Sequence, residues 1–376
     1  MTPPRTRAFV AGLAFVGLVA CAGVDEPPRA PLEGEGPVLT AEPVAFGAGG
    51  LTPALSLPPF EGESVALWAK SEPGTCFALA SLEDSVGRRW VSRREAGPYC
   101  TGCAVRTSIA REEALFVLPS GEGFEPRNGL AVRFGLMDCE TLTPLEAAGE
   151  HPLQLAWLPR ERVPERGRLS LRFLVSQHSM LFGQPDRQRE LLERLNDELG
   201  EAGLEVTLEA VAELPDAPAE ARFWTTELAE LSALLESAPP ALDATVDIVF
   251  AGCLRYDDPF FGPPVPVNGF TPRVGGGAGP ASAVFMPGRL CDSFAKGPTP
   301  WPQDAYAHVL AHELGHFLGL YHSVETDGTA DLLSDTGEQN IMNPNPSRAD
   351  ARGWSPSQRR QVLSHPWVRP GSAPRP

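Results

Sequence analysis

The sequence predicts an α+β protein in which a disulfide-stapled β-sandwich domain, residues 45–160, precedes a second domain, residues 165–376. Short β-like runs separated by turn residues fill the first domain without a convincing helical period. After residue 168, strand-like runs alternate with amphipathic helical periods, which is typical of a mixed sheet covered by helices. A chain of 376 residues fits about two domains of roughly 100–200 residues each.

The predicted elements are defined by their periodicity. The strands of the first domain include 64–68, 115–118 and 130–134. The elements of the second domain are strands at 169–175, 204–210, 244–252 and 282–286, and helices at 185–200 and 225–238. In the first of these helices Leu191, Leu195 and Leu199 recur on one face, and Gly200 is expected to end it. Residues 157–168 are the expected linker between the two domains.

Six cysteines remain when Cys21 is set aside, and an even number in an exported chain indicates disulfides. Cys253 and Cys291 are expected to pair with each other. The other four allow three connectivities and are Cys76, Cys100, Cys103 and Cys139. The segment CTGC (100–103) could also be a redox or zinc-knuckle motif. Structural disulfides are favoured because no βαβ pattern and no second CxxC accompany it.

The N-terminus has the pattern of a secretory signal. Arg5 and Arg7 precede an apolar run of twelve residues, 8–19, which is too short to cross a bilayer as a helix. The run ends in LVAC (18–21), which resembles the lipobox of bacterial lipoproteins and implies a signal peptide at 1–20 and acylation of Cys21. The alternative is an ordinary signal with a chance cysteine. Residues 21–44, rich in proline, glycine and acid, are expected to form a flexible tether.

The overall charge restricts the partners. Acidic residues outnumber basic ones by 48 to 31, which gives a formal net charge of −17. A chain of this sign repels phosphate backbones, so nucleic acid is not an expected partner. With the lipobox, the expected location is that of an exported bacterial lipoprotein at the outer membrane or cell surface, held to the membrane through Cys21.

Three of the seven histidines lie in HELGHFLGLYH (312–322). His312 and His316 are four residues apart in a predicted helix, which places both imidazoles on one face within about 6 Å and suits two ligands of one zinc ion. Glu313 lies about 100° around the helix and could reach a water at the metal. Gly319 allows the helix to end and the chain to turn, so that His322 can supply a third ligand.

The alternative to a metal site is a chance motif of surface histidines. The five fixed positions, the helical context and the scarcity of other histidines favour zinc. His308, one turn earlier on the same face, could also be a ligand, but a supporting or packing role is preferred because three ligands are already present. Three protein ligands with one open position are typical of catalytic rather than structural zinc.

The residues His312, Glu313, His316, Gly319 and His322, followed by NIMNP (340–344), resemble the metzincin clan of zinc metallopeptidases. LGLYH (318–322) and LSDTGEQNIM (333–342) are more similar to pappalysin-type members than to matrixins. The resemblance implies a twisted mixed sheet, an active-site helix and a small C-terminal subdomain. It also implies that Met342 forms the methionine turn beneath the zinc and that Glu313 is the general base.

The expected function is therefore a zinc metalloendopeptidase that hydrolyses extracellular or periplasmic polypeptides. The alternative is a non-catalytic zinc-containing surface or adhesion lipoprotein, against which the presence of Glu313 argues. Strand 282–286 could pair with an extended substrate or be an ordinary core strand. Whether residues 45–160 are an inhibitory pro-segment or a permanent module is left open by the sequence.

Two features differ from the metzincin pattern. Pro344 stands where several members have a tyrosine that approaches the zinc. The segment between His322 and Met342 is short, and its acids Asp327, Asp331 and Asp335 could bind Ca²⁺. Solvated loop acids are the favoured interpretation, so calcium is not an expected cofactor.

Overall fold

Two antiparallel sheets make up the N-terminal half of the chain in its computed structural model. The structure describes residues 39–57, 59–92, 110–118, 126–141, 143–146, 149–224, 227–240, 244–257, 262–276, 281–291, 302–324, 331, 333, 335–346 and 350–371. The strands of this half are β1 Leu39–Phe46, β2 Leu55–Leu57, β3 Ser64–Lys70, β4 Cys76–Asp84, β5 Arg89–Ser92, β6 Ala110–Arg111, β7 Glu113–Leu118, β8 Leu130–Met137 and β9 Gly149–Arg160.

One sheet has the strand order β1-β9-β3-β7, and the other has the order β2-β8-β4-β5 with β6 also paired to β4. Alternate residues of both sheets meet in one apolar core. The ring of Phe134 on β8 lies at this interface. Its centroid is 5.9 Å from that of Phe77 in the same sheet and 5.8 Å from that of Phe116 in the opposite sheet. The strands predicted at 64–68, 115–118 and 130–134 lie within β3, β7 and β8.

A disulfide between Cys76 and Cys139 closes one end of this half, with a Cα–Cα distance of 5.4 Å. It joins the start of β4 to the residues that follow β8. Cys100 and Cys103 lie outside the described residues, as do the predicted signal peptide 1–20 and Cys21. No helix in the described part of the chain combines the length and apolar character needed to cross a bilayer.

Two boundaries differ from the sequence prediction. Residues 39–44, assigned to the tether 21–44, belong to β1, which pairs antiparallel with β9. The predicted linker 157–168 is also too long, because β9 continues to Arg160 and the next strand begins at Gly167. Both errors have the same cause. Segments that contain prolines form strands here because they pair with strands distant in sequence, β1 with β9 and the end of β9 with β3.

The C-terminal half contains the elements predicted for the second domain. Its strands are β10 Gly167–Ser176, β11 Leu204–Leu214, β12 Glu220–Phe223, β13 Thr245–Ala251, β14 Cys253–Tyr256, β15 Val265–Pro266, β16 Val284–Pro287 and β17 Arg369–Pro370. Its α-helices are α1 Pro185–Gly200, α2 Ala229–Glu236, α3 Gln303–Phe317 and α4 Pro356–Leu363. Helix α2 is shorter than the predicted 225–238.

The main sheet of this half has the order β11-β10-β13-β16. These four strands are parallel, and β17 makes the sheet mixed by pairing antiparallel with the start of β10. Strand β13 is buried at all seven residues because it lies between β10 and β16. Its continuous apolar run is what a strand covered on both faces requires.

Helices α1 and α3 share a core with one face of the main sheet. Helix α1 buries Leu191, Leu195 and Leu199 and ends at Gly200, as the periodicity predicts. Helix α3 is buried along most of its length, from Tyr306 to Phe317 apart from His316. The apolar residues of α3 fix the helix against the sheet, and its histidines are therefore presented on a rigid element.

The other face of the sheet packs against α2 and a second, smaller sheet of order β12-β14-β15. Arg172 and Asp247, side by side on β10 and β13, form a buried bidentate pair with N–O distances of 2.7 and 2.8 Å. Cys253 and Cys291 form a disulfide, the pair expected from the sequence, with a Cα–Cα distance of 5.6 Å.

The described residues of the two halves are in direct contact and belong to one compact unit. The buried guanidinium of Arg160, the last residue of β9, donates hydrogen bonds to the carbonyl oxygens of Leu363 at 2.6 Å and His365 at 3.0 Å. It also contacts the carbonyl of Val368. The end of the N-terminal half therefore holds the turn that follows α4.

Candidate metal centre and active site

Helix α3 places two of the three motif histidines on successive turns. The ring centroids of His312 and His316 are 4.8 Å apart. The ring of His322 lies 5.3 Å from His312 and 4.8 Å from His316. One ligand nitrogen from each ring lies within 4.8 Å of the other two, and this is the one such group of His, Cys or acidic residues found among the described residues.

The chain turns at Gly319 to bring in His322. Gly319 has φ +101°, a conformation that side chains other than glycine rarely adopt. Its N–H donates to His316 O and the Leu320 N–H donates to Gly315 O, both at 2.9 Å. These two bonds form a Schellman motif, which ends the helix and leaves His322 outside it.

Backbone carbonyls fix two of the imidazoles. His312 Nδ1 lies 2.8 Å from Ile341 O, and His316 Nδ1 lies 2.8 Å from Leu320 O. A carbonyl accepts only, so Nδ1 carries the proton in both rings and each Nε2 presents a lone pair. His316 Nε2 is 3.2 Å from His322 Nε2. Two nitrogens on one tetrahedral zinc, at Zn–N distances of about 2.0–2.1 Å, lie about 3.3 Å apart.

His312 and His316 are also neutral, as metal ligands must be. Burial and then the neighbouring His322 lower the pKa of His312 to about 3. Burial, followed by His322 and His312, lowers the pKa of His316 well below its usual value. Three imidazoles, two of them neutral and with Nδ1 bound to a backbone carbonyl, are a donor set that zinc accepts. The residues present therefore fit a zinc ion.

Glu313 lies beside this cluster with only 6% of its surface exposed. Burial raises the pKa of its carboxyl group to about 7, against the lowering effect of hydrogen bonds from Thr271. Thr271 Oγ1 is 2.9 Å from Glu313 Oε2 and 2.9 Å from the Glu313 carbonyl oxygen. A Cβ on Gly269 would lie 2.7 Å from Glu313 Oε1, so the segment 269–271 passes directly over the carboxylate.

Met342 is fully buried beside α3. A Cβ on Gly315 would come within 2.5 Å of its sulfur, so the absence of a side chain at Gly315 lets Met342 pack against this helix. Met342 therefore contacts the helix that carries His312 and His316, and its role as the methionine turn stays a prediction.

The family model Peptidase M43, described as pregnancy-associated plasma protein-A, matches residues 299–353 of this chain. The resemblance to a metzincin-like zinc metallopeptidase of pappalysin type is confirmed over this segment. The match includes α3, all three histidines, Glu313 and Met342, and it supports a zinc-dependent peptidase. No curated protein matches the chain.

Two solved structures are similar in part. Archaemetzincin from Methanopyrus kandleri is 17% identical, with a TM-score of 0.27, over 53% of this chain and 88% of that one. Metalloproteinase-II from Bacteroides fragilis is 13% identical, with a TM-score of 0.29, over 56% of this chain and 62% of that one. At this level of similarity neither adds to the assignment of the site.

The remaining predicted residues are not members of the cluster. His308 is buried and its Nδ1 is 3.1 Å from Glu198 Oε2 of α1, an interhelical contact. Asp331 accepts hydrogen bonds from Leu333 N and Thr336 Oγ1, and Asp335 accepts one from Ser357 N. These contacts are local, Asp327 lies outside the described residues, and no calcium site is supported.

The strand predicted at 282–286 forms as β16 but is not an open edge. All four of its residues are buried, and Phe285 exchanges backbone hydrogen bonds of 2.8 and 2.9 Å with Phe270. Residues around Phe270 therefore cover the outer side of β16.

Thr271 and Gly269 were missed in the sequence because neither belongs to a motif and Glu313 lies more than 40 residues away.

Proposed function

We propose that the protein is a zinc-dependent endopeptidase that hydrolyses peptide bonds of extracellular or periplasmic polypeptides. The observation that carries the proposal is the buried carboxylate of Glu313 beside three imidazoles that fit zinc. A purely structural zinc site does not need a general base next to the metal. The family match over residues 299–353 supports the same conclusion.

When bound, zinc would supply Lewis-acid polarisation of water and of the scissile carbonyl. Glu313 accepts the proton of the attacking water and returns it to the departing amine nitrogen. In the metal-free protein burial raises the pKa of this carboxyl group to about 7, so the pocket favours taking up a proton near neutral pH. Thr271 Oγ1 holds the carboxylate in place through its 2.9 Å contact with Oε2.

We assign substrate alignment to the segment 268–271 instead of β16. This segment forms the outer edge beyond β16 at Phe270 and passes beside Glu313 at Gly269. An extended polypeptide that pairs with such an edge gains main-chain hydrogen bonds that do not depend on its sequence. Polypeptides are therefore the proposed substrate class.

The proposed location is outside the cytoplasm, on a membrane. Arg5, Arg7, the apolar run 8–19 and Cys21 support an acylated lipoprotein. Replacing Cys21 with Ser is expected to move the protein from the membrane fraction to the soluble exported fraction. If the variant stays with the membrane, the proposed anchor is wrong.

We further propose that residues 45–160 are a disulfide-stapled β-sandwich. Two antiparallel sheets with a common apolar core and the Cys76–Cys139 disulfide support this arrangement. The arrangement contains no candidate catalytic group among its described residues, so the chemistry is assigned to the C-terminal half.

The decisive test is Glu313→Gln, assayed with a peptide library whose products are sequenced by mass spectrometry. The expected result is loss of cleavage by roughly 10²–10⁴-fold. Bound zinc, measured by metal analysis, is expected to remain at the wild-type level because Glu313 is not a ligand. Wild-type cleavage is expected to stop when a chelator removes the metal.

Asp304→Asn is the matched control, because Asp304 is on the same helix but its side chain is 65% exposed. It is expected to cleave as the wild type does. Cleavage by Glu313→Gln at the wild-type rate would contradict the assigned base. A wild-type protein that binds zinc but cleaves no library peptide would instead favour a non-catalytic surface or adhesion lipoprotein.

A further inference from the structure

The methionine turn is hydrogen-bonded to two of the three zinc-binding segments. His312 Nδ1–H donates to Ile341 O at 2.8 Å, which sets the orientation of that ring. Ser323 N–H donates to Met342 O at 2.7 Å, which fixes the chain next to His322. Two successive carbonyls of one turn therefore control one ligand on the helix and the approach of the ligand outside it.

A pair of amide side chains holds this turn. Asn340 Nδ2 donates to Gln358 Oε1 at 2.7 Å, and Gln358 Nε2 donates to Asn340 Oδ1 at 2.6 Å. Asn340 Oδ1 also accepts from Met342 N–H at 2.9 Å, so the pair reaches the turn backbone directly. Asn340 is 3% exposed and Gln358 is fully buried.

Gln358 is fixed in turn by the start of α4. Ser355 Oγ accepts from Gln358 N–H, and Gln358 Oε1 accepts from Ser355 N–H, which is a capping box. The backbone adds a bond from Ile341 N–H to Gly353 O at 2.9 Å. The amide pair therefore connects the turn to a rigid helix end rather than to a loose loop.

Burying a side-chain amide without a hydrogen-bond partner lowers the stability of the folded state, so each of these two amides depends on the other. Apolar side chains would pack the turn against α4, but they could not direct the Ile341 and Met342 carbonyls. We propose that Asn340 and Gln358 are positioning residues that orient the zinc ligands through the methionine turn. The catalytic part of this inference rests on the proposed function, whereas the metal-binding part does not.

The test compares Gln358→Met with the double variant Asn340→Leu/Gln358→Met. The single variant leaves Asn340 buried without its partner, so both its urea midpoint and its zinc affinity are expected to fall, the affinity by about 10–100-fold. In the double variant neither side-chain amide is left unpaired, but the N–H groups of Met342 and Ser355 lose their side-chain acceptors. Its urea midpoint is therefore expected to recover in part, while its zinc affinity stays 10–100-fold weaker.

This difference separates positioning from packing. If the pair only packs the turn, the double variant recovers zinc affinity together with stability, and the proposal is overturned. Zinc dissociation constants are measured by competition with a chromogenic chelator. If the single variant does not fold, the double variant alone decides the question.

Gln188→Met is the matched control, because Gln188 on α1 is 7% exposed and donates to Leu181 O at 2.9 Å. It loses a buried glutamine without touching the turn and is expected to keep wild-type zinc affinity. At saturating zinc, kcat of the double variant is expected to fall with little change in KM. If the wild type cleaves no peptide, the proposed function fails, but the zinc affinities still test the role of Asn340 and Gln358. Failure of the proposed function and failure of this inference are therefore distinguishable.

A separate observation concerns residues 39–160. Leu115 O of β7 lies 2.3 Å from where a Cβ on Gly275 would be, and Gly275 N–H donates to His316 O at 3.0 Å. Val117 lies 3.4 Å from the corresponding position on Gly319. Together with the three carbonyl contacts of Arg160, these contacts place the N-terminal half against the end of the zinc-binding helix.

We infer that residues 39–160 are a permanent support of the metal site and not a removable inhibitory segment. A specific protease site inserted at 161–166, where most residues are exposed, allows the full chain to be cut after folding. The two fragments are expected to elute together, with zinc affinity and cleavage rate within about twofold of the uncut protein. Release of the N-terminal fragment with a rise in peptide cleavage would overturn the inference.

Discussion

The two halves of the protein fill their interiors with different kinds of side chain. Among the described residues, the N-terminal half buries aliphatic and aromatic groups, and its buried polar residues are Thr52, Ser64, Ser71, Thr75 and Arg160. The C-terminal half buries acids, amides and imidazoles as well, including Asp247, His308, His312, Glu313, Asn340, Gln358 and His365. Titratable groups are expensive to bury, so each is retained where hydrogen-bonded partners offset the cost, as Arg172 does for Asp247 and Thr271 does for Glu313.

Because their interiors contain different kinds of side chain, the two halves should respond to different perturbations. The N-terminal half should be sensitive to lost volume and indifferent to pH. The C-terminal half should be sensitive to protonation and to backbone geometry around the metal. Substitutions in each half test this contrast.

Phe134→Ala removes a fully buried ring from the N-terminal core. The free energy of unfolding is expected to fall by about 3–5 kcal/mol, through lost burial and the cavity left behind. Urea unfolding at neutral pH measures this loss, and the zinc affinity of the folded variant is expected to be unchanged. Val86→Ala, at an 85% exposed position, is the control with almost no effect. A parallel loss of zinc affinity would contradict the contrast.

His365 should make stability depend on pH. Burial lowers its pKa from 6.5 in the unfolded chain to about 4, opposed by the hydrogen bond to Gly275 O and aided by the positive charge of Arg160. Between these values the unfolded chain binds a proton that the folded chain does not. The free energy of unfolding is therefore expected to fall by roughly 3 kcal/mol as the pH decreases from 6.5 to 4.

His365→Gln should remove this part of the pH dependence, so its stability difference from wild type becomes smaller at acid pH. Chemical unfolding at pH values between 4 and 7 measures it. Phe134→Ala serves as the comparison, because its stability loss should be the same at each pH. Equal pH slopes for wild type and His365→Gln would show that His365 is not the group responsible.

Gly319→Ala is expected to cost about 1–3 kcal/mol, because φ +101° is strained for alanine and the new Cβ would lie 2.8 Å from Gln361 Nε2. Zinc binding should weaken as well, since the turn that delivers His322 is disturbed. Gly200→Ala is the matched control at the last residue of α1, where nothing lies within 4 Å. It is expected to be neutral or slightly stabilising.

Ser355→Ala removes the side-chain cap of α4 and is expected to lower the free energy of unfolding by about 1 kcal/mol. Zinc affinity should decrease slightly, because Gln358 keeps its amide but loses one constraint. Thermal unfolding and chelator competition measure the two effects. An unchanged unfolding temperature would mean that the capping box contributes nothing to the C-terminal half.

Much of the fold could be predicted because its signals are local. The four-residue spacing of Leu191, Leu195 and Leu199 predicts α1 with its observed ends, and the apolar run at 244–252 predicts a central strand. The motif 312–322 predicts the helix, the turn at Gly319 and the gathering of three histidines, because each depends on neighbouring residues alone.

The parts that sequence reasoning missed depend on distant pairing. Strand β1 forms only because β9, more than 100 residues later, offers it an edge, so a proline-containing segment was assigned to the tether. Thr271 and Gln358 belong to no motif, and the motif segment that contains Asn340 gives no indication of its distant amide partner, since a hydroxyl or an amide serves many structural purposes. The covering of β16 by Phe270 likewise follows from a loop conformation that composition does not encode.

The contact of Arg160 with the turn after α4 joins residues that are 203 to 208 positions apart. The guanidinium and its acceptors belong to different halves of the molecule, so neither half alone contains both partners of this interaction. The contact therefore forms only when both halves have folded against each other. A chain truncated before Leu363 would keep all three histidines but lose this connection between its halves.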